Sequence, residues 1–382
     1  MAPTDGGCGS YRTAPGKDDG LSSEREAEKA AFLAAAGLGT ARREPLTGDA
    51  STRRYERLHL ASTTLIFMDQ PPALESSPCP PDATPAERAA AGYNALARLA
   101  AGRVDAFVAT AGWLRGQGLS APEIVAADAP RGLAVLEDLG DDLFARLIEA
   151  GQDDAPLYDD AIAALARMHE AEPPAVLAYG GAAWPLLTYD EVALATADRL
   201  FVEWLPKFEP QLAFGPEALA EWEAIWTPIR ARGAAGARVF CHRDYHAENL
   251  IWLPDRAGPA RVGLLDFQDA LKAHPAWDMS MLLHDARRDV SPAIEERSLA
   301  GYFVLKPHVD ARAFMADFHA LGALNIVRIL GIFSRLVVRD GKPRYAAFMP
   351  RLWGYLDRCL ADPQLADLKA WMDRHVPAEA RR

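Results

Sequence analysis

Residues 242–249 read His242-Arg243-Asp244-Tyr245-His246-Ala247-Glu248-Asn249, and a second aspartate, Asp266, closes the apolar run Val262-Gly263-Leu264-Leu265 soon afterwards. An aspartate, an asparagine and a further aspartate in that order are the groups that phosphoryl transfer to an alcohol requires. The reaction asks a protein for positioning and charge neutralisation rather than covalent chemistry. Asp244 is placed to orient the attacking hydroxyl and take its proton. Asn249 and Asp266 offer hard oxygens to a Mg²⁺ ion carried on the phosphates of ATP. Between them, Pro254-Asp255-Arg256-Ala257-Gly258-Pro259 supplies turn residues, flanked by Leu250-Ile251-Trp252-Leu253 and the run ending at Leu265. That layout predicts a β-hairpin. A lone H-x-D or D-F would be uninformative; the three groups in sequence point to a kinase.

The elements that must hold these groups can be read outward from them. Ser23 with Glu26 fits a capping box, so a first helix is predicted from about Ser22 to Gly37-Leu38-Gly39. Residues 1–21, rich in Gly, Asp and Pro, are predicted to be a disordered tail. Strand-like runs follow at 43–60 and 63–68, then a Pro-rich loop, an Ala-rich helix near 86–101 and another near 105–117. Two further strands are expected at 123–127 and 132–137. From Asp141 onward the pattern is helical apart from the hairpin. The fold expected is α+β and two-lobed, like a protein kinase: a small antiparallel-sheet N-lobe over 22–138 and a larger, mainly helical C-lobe over 139–382. A nucleotide would lie in the cleft between them.

Composition excludes several functions. At 382 residues and 50% hydrophobic content both lobes can bury a core, and a net charge of −12 argues against nucleic acid or an anionic membrane as partner. No apolar stretch looks long enough to span a bilayer, and the N-terminus lacks a signal-peptide layout. Cys8, Cys79, Cys241 and Cys359 are scattered without metal-ligand spacing, so a reducing, cytoplasmic compartment is expected.

The pattern His242, Asp244, His246, Asn249, together with Asp266-Phe267 and Pro275-Ala276-Trp277-Asp278, resembles the aminoglycoside phosphotransferase-like kinases, which include choline and homoserine kinases. Protein kinases fit less well, because there is no A-P-E segment. Leu46-Thr47-Gly48-Asp49-Ala50-Ser51-Thr52-Arg53-Arg54-Tyr55, Asp266-Phe267-Gln268-Asp269-Ala270 and Gly331-Ile332-Phe333-Ser334-Arg335-Leu336 are similar to the anomeric N-acetylmuramate/N-acetylglucosamine kinases of bacterial cell-wall recycling. The resemblance implies ATP and Mg²⁺, an amino-sugar acceptor and a sugar 1-phosphate product. Relative to that family, 73–103 looks like an insertion. The resemblance also gives Asp278 a structural role, accepting backbone hydrogen bonds from the catalytic loop.

One kinase component is missing. No lysine lies between Lys29 and Lys207, so the usual strand lysine paired with a helix glutamate cannot be present. Met68 takes the strand position, and the helix near 105–117 has no glutamate. Arg53 and Arg54 are the candidates to replace the lysine, since a guanidinium forks onto phosphate oxygens; Arg54 is preferred. Gly48, Ser51 and Thr52 would cover the phosphates. Adenine would pair with backbone groups of a hinge at Glu137 and Leu139.

On the acceptor side Glu203, His246, Asp269, Asn325, Arg328 and Arg335 are candidates, with His246 equally able to brace the loop and His242 expected to orient it by hydrogen bonding. Arg328 and Arg335 share a helix face. Seven basic side chains lie in 328–358, against Asp340 and Asp357, which suits an acidic acceptor such as the lactyl carboxylate of N-acetylmuramate better than a cationic aminoglycoside. The competing readings are a kinase of another small alcohol, of the aminoglycoside, choline or homoserine type, and a catalytically inactive kinase-like scaffold.

Overall fold

Alternating apolar residues in five short strands build one sheet whose two faces serve different cores. The computed structural model describes residues 18–46, 53–71 and 79–381. Strands β1 (Arg42–Leu46), β2 (Arg54–His59), β3 (Thr64–Asp69), β4 (Ile124–Asp128) and β5 (Leu133–Glu137) pair antiparallel in the order β1-β2-β3-β5-β4. The single run predicted over 43–60 is thus two strands. Helix α1 (Asp18–Ala35) covers one face, where Phe32 and Leu33 meet Leu58, Phe67, Leu133 and Val135. The described residues are already helical at Asp18, so the Ser23–Glu26 pair lies inside the helix and does not cap it. Its end falls where glycine predicts. Gly37 has φ +74°, Gly37 N donates to Ala34 O at 3.0 Å and Leu38 N to Leu33 O at 2.8 Å, a Schellman cap.

The pleat turns Met68, Ala134 and Leu136 to the other face, toward the large core and helix α4 (Val104–Gly116). Between β3 and α4 the expected Ala-rich helix is broken. It becomes α2 (Pro85–Ala91) and α3 (Tyr93–Leu96), which meet at Gly92 with φ +93°. The chain leaves the sheet through Asp138-Leu139-Gly140. Asp138 pairs with Arg57 at 2.7 Å and accepts from Gly140 N at 3.0 Å, fixing the exit angle.

The rest is mainly helical. Helices α5 (Phe144–Glu149), α6 (Asp154–Met168), α7 (Glu191–Phe208) and α8 (Pro216–Ala235) precede the catalytic segment. Helices α9 (Ala276–Leu283), α10 (Pro292–Leu305), α11 (Ala311–Val338), α12 (Met349–Leu360) and α13 (Ala366–His375) follow it. Six short strands interrupt them in pairs: β6 (Val176–Tyr179) with β7 (Ala182–Pro185), β8 (Val239–Cys241) with β11 (Leu271–Ala273), and β9 (Leu250–Trp252) with β10 (Val262–Leu264).

The expectation that no apolar stretch could span a bilayer needs correcting: α11, 28 residues long, is long and apolar enough. Its most apolar window is 72% buried by protein, as a core helix packed against α7, α9 and α12. Gly331 permits the closest approach, since a Cβ there would lie 2.4 Å from the carbonyl carbon of Leu200 on α7. Cys79, Cys241 and Cys359 are free and buried.

Candidate active site

Strand β8 ends at Cys241, and the next residues run into a buried carboxylate. Asp278, in the first turn of α9, accepts from His242 N at 2.6 Å, Arg243 N at 2.8 Å and Cys241 Sγ at 3.1 Å. Asp278 therefore does what the resemblance implied. Burial pushes its carboxyl up, against the opposing pull of His242 and these donors. The loop so held has Arg243 at φ +80°, a conformation a side chain adopts only when its surroundings over-determine it. His242 corrects an expectation. Neither ring nitrogen has a hydrogen-bond partner among the described residues, and the ring packs edge-on against Tyr245 and Phe267.

The β9–β10 hairpin then brings the other two groups alongside. Leu250 pairs with Leu264, and Leu265 N donates to Asn249 O at 2.9 Å, so Asn249 and Asp266 project from adjacent chain ends. Asn249 Nδ2 donates to the carbonyl of Asp244 at 2.8 Å. The amide is thereby oriented with its oxygen away from that carbonyl. Asp266 has φ +60° and a side chain 41% exposed. Burial opposes ionisation, yet Arg53 and the Gln268 amide outweigh it and hold the carboxyl below the usual range. An ionised carboxylate and an amide oxygen are hard donors that fit Mg²⁺. Among the described residues no group of three or more His, Cys, Asp or Glu side chains could hold a metal, so these two would share the ion with phosphate oxygens.

On the nucleotide side the two arginines separate. Arg53 reaches into the cleft, with Nη2 on Asp266 Oδ1 and Nη1 2.8 Å from Gln268 Oε1. Arg54, the preferred candidate, begins β2 and is exposed. The preference is reversed because the pleat sends adjacent residues opposite ways, and Arg53 is the inward one. Met68, on β3, lines a cavity of about 440 Å³ with Arg53, Asn94, Phe107, Gln268 and Asp269. Lys29 lies on the sheet's other face, 2.5 Å from Glu26 and 2.9 Å from Glu56. Gly48, Ser51 and Thr52 lie outside the described residues. At the hinge, the Glu137 carboxylate binds Arg256 at 2.5 Å and Arg115 at 3.3 Å, and its N–H donates to Glu123 O. Leu139 is buried beside Gly263.

The acceptor candidates divide sharply. Arg328, 8% exposed, brings Nη2 to 3.8 Å from Asp244 Oδ1, with its guanidinium over Trp277 and Nε donating to Asn325 Oδ1 at 3.0 Å. Asn325 is only 1% exposed and donates to Met281 Sδ, so it aims Arg328 rather than facing a ligand. His246 is a brace: its buried Nε2 lies 3.2 Å from Arg287 Nη1 and 3.3 Å from Asn249 Nδ2, both donors. Burial holds its pKa well below the ordinary value, so the ring is neutral and accepts. Glu203 is exposed and pairs with Lys207 at 3.6 Å, with no hydrogen bond or ion pair to another candidate among the described residues. Arg335 stacks over Tyr93 of α3 at 4.8 Å.

Asp269 leads to what sequence reasoning missed. Its Oδ1 accepts from Ala100 N at 2.6 Å, and burial raises its carboxyl. Arg243, buried behind the catalytic loop, donates to Ala97 O at 3.0 Å and Arg98 O at 3.4 Å. Arg88 and Arg98 in turn hold Asp190, at the N-terminus of α7, at 2.6 and 3.0 Å. The segment that looked like an insertion is tied both to Asp269 beside Asp266 and to Arg243 beside Asp244.

The sequence profile of the phosphotransferase enzyme family matches residues 42–318, which takes in the sheet, the catalytic loop and Asp266. The chain belongs to the phosphotransferase enzyme family. This phosphotransferase is 70% identical over 362 residues, 95% of its length and 99% of the relative's, to a Caulobacter vibrioides protein named N-acetylmuramate/N-acetylglucosamine kinase. A Pseudomonas aeruginosa protein of the same name is 30% identical, over 85% of this chain and 86% of its own. Among solved structures, a choline/ethanolamine kinase family protein from Mesorhizobium loti superposes with a TM-score of 0.53 at 17% identity, covering 92% of this chain and 99% of that one. The likeness confirms the kinase-like fold. The phosphotransferase is thus a small-molecule kinase, and the protein-kinase-like α+β architecture expected from its sequence is present.

Proposed function

We propose that this phosphotransferase moves the γ-phosphoryl group of ATP, with Mg²⁺, to the anomeric hydroxyl of N-acetylmuramate, N-acetylglucosamine or both, giving the sugar 1-phosphate in the cytoplasm as a step of peptidoglycan recycling. The observation that carries this is the 70% identity, end to end, with a relative named for those two sugars. The site supports it chemically. Asp244 would accept a hydrogen bond from the sugar hydroxyl and take its proton as the oxygen bonds to the γ-phosphorus. The bridging P–O bond to the β-phosphate breaks, ADP leaves, and the proton passes from Asp244 to solvent. Asn249 and Asp266 would hold the Mg²⁺ ion, which neutralises charge on the phosphate oxygens. Arg53 would face the same phosphates, and Arg328 would face the acceptor beside Asp244, where a carboxylate-bearing sugar gains a charge-assisted hydrogen bond.

The test is incubation with ATP, Mg²⁺ and each amino sugar, read by ³¹P NMR. A phosphorus signal coupled to the anomeric proton is expected. Phosphate on O6 would overturn the anomeric assignment, and turnover of choline, homoserine or an aminoglycoside but neither amino sugar would overturn the acceptor class.

A further inference from the structure

Kinases that use a strand lysine anchor it with a glutamate from the neighbouring helix. Here no lysine lies between Lys29 and Lys207 and α4 carries no glutamate; β3 presents Met68, and α4 presents Val104 and Phe107, to the same cavity. Arg53 enters from the start of the β2–β3 hairpin, and what receives it is Gln268, two residues beyond Asp266. Gln268 is 6% exposed. Its Oε1 accepts from Arg53 Nη1 at 2.8 Å, while Nε2 donates to Asp266 Oδ1 at 3.0 Å and lies 3.5 Å from Asp269 Oδ2. With a guanidinium on one side and two carboxylates on the other, only one orientation of the amide satisfies both. A glutamate there would set a third carboxylate against Asp266 and Asp269, and a lysine would repel Arg53. A carboxamide here offers an acceptor to the cation and a donor to the anion at once.

Asp266 has two claims on it in this arrangement. Arg53 pairs with it directly, and the same carboxylate is the proposed metal ligand. Tyr55 Oη also lies 3.4 Å from Arg53 Nη1, but the Gln268 contact at 2.8 Å is the shorter one that keeps Arg53 anchored when Asp266 serves the metal.

We propose that Gln268 is a positioning residue that holds Arg53 toward the nucleotide phosphates, replacing from the metal-ligand segment the anchor that other kinases take from a helix. The inference rests on reading the chain as a Mg²⁺–ATP kinase, but not on which sugar it uses.

The test is calorimetric titration of the full chain with ADP and Mg²⁺, without acceptor, for the unaltered protein, Gln268→Leu, Arg53→Leu and the double variant. Loss of a hydrogen bond to a charged group predicts ADP binding weaker by about 10-fold or more in each single variant. Because both changes remove the Arg53–Gln268 linkage, the double variant should lose less than the product of the two single losses. In steady-state assays the KM for ATP should rise while the KM for the acceptor stays unchanged, a split that general loosening of the fold would not produce. Thermal unfolding controls for folding, and Gln268→Met, unbranched and of the same length, replaces the leucine variant if that one fails to fold. Unchanged ADP affinity in the Gln268 variant, or losses that add in the double variant, would overturn the proposal. Failure of the unaltered protein to bind ADP would instead overturn the kinase reading beneath it.

Discussion

At the scale of single residues, the site divides into groups that sequence motifs expose and groups that only geometry does. Asp244 stands in a motif, and its side chain is one-third exposed beside Arg328. Replacing it with asparagine should cut turnover by at least ~10²-fold, the contribution of a positioned base, measured by ADP release with the acceptor identified by NMR. Arg53 and Arg54 make the contrasting pair. Arg53→Ala should raise the KM for ATP, whereas Arg54→Ala, changing an exposed strand residue, should leave both KM values within about twofold. The sequence narrowed the missing cation to two neighbours, but strand alternation alone does not say which face is inward. That required the sheet. His246 and Asn325 were visible as polar residues at plausible places. Their burial, and the contacts by which they brace Asn249 and Arg328, come from tertiary packing, Asn325 of α11 against Met281 of α9 and His246 against Arg287.

At the scale of elements, the sheet, the hairpin and the helical lobe were legible because each has a strong period or a turn signal. Boundaries were not, where tertiary contacts compete with local signals. Gly92 breaks an alanine-rich stretch that propensity alone would leave continuous, and α1 extends past an internal capping sequence to Asp18. Gly331 lies in a segment that looked family-like without an evident reason. Its physical reason is the contact between α11 and Leu200 of α7. Gly331→Ala should therefore destabilise the fold by ~1–3 kcal/mol through overpacking. Gly116→Ala, with no atom within 4 Å of the added methyl at the end of α4, should be neutral or stabilising by up to ~1 kcal/mol. Urea unfolding of the two variants side by side checks both.

At the scale of the whole molecule, stability carries a pH term outside the active site. Asp198, fully buried between α7 and α8, lies 3.4 Å from Arg230 and accepts from Trp222 Nε1 at 3.3 Å. Burial outweighs the arginine and pushes its carboxyl from 3.8 up to about 7. The folded state therefore keeps a proton that the unfolded state has already released, so this group's contribution to stability falls as pH rises from about 4 to about 7 and is flat above. Asp198→Asn should remove that slope, seen as a smaller difference between urea midpoints at pH 5 and pH 7.5 than in the unaltered protein. The two-lobed plan itself was legible from the sequence; the knitting of 79–103 to the catalytic loop was not, because Arg243 grips carbonyl oxygens and leaves no side-chain signature. Recognition of main chain is indifferent to residue type but strict about path. Drift in the identity of Ala97 should be tolerated, while shortening this stretch by even one residue would pull on the aspartate next to Arg243, so chimeras between relatives should exchange the stretch and the loop together.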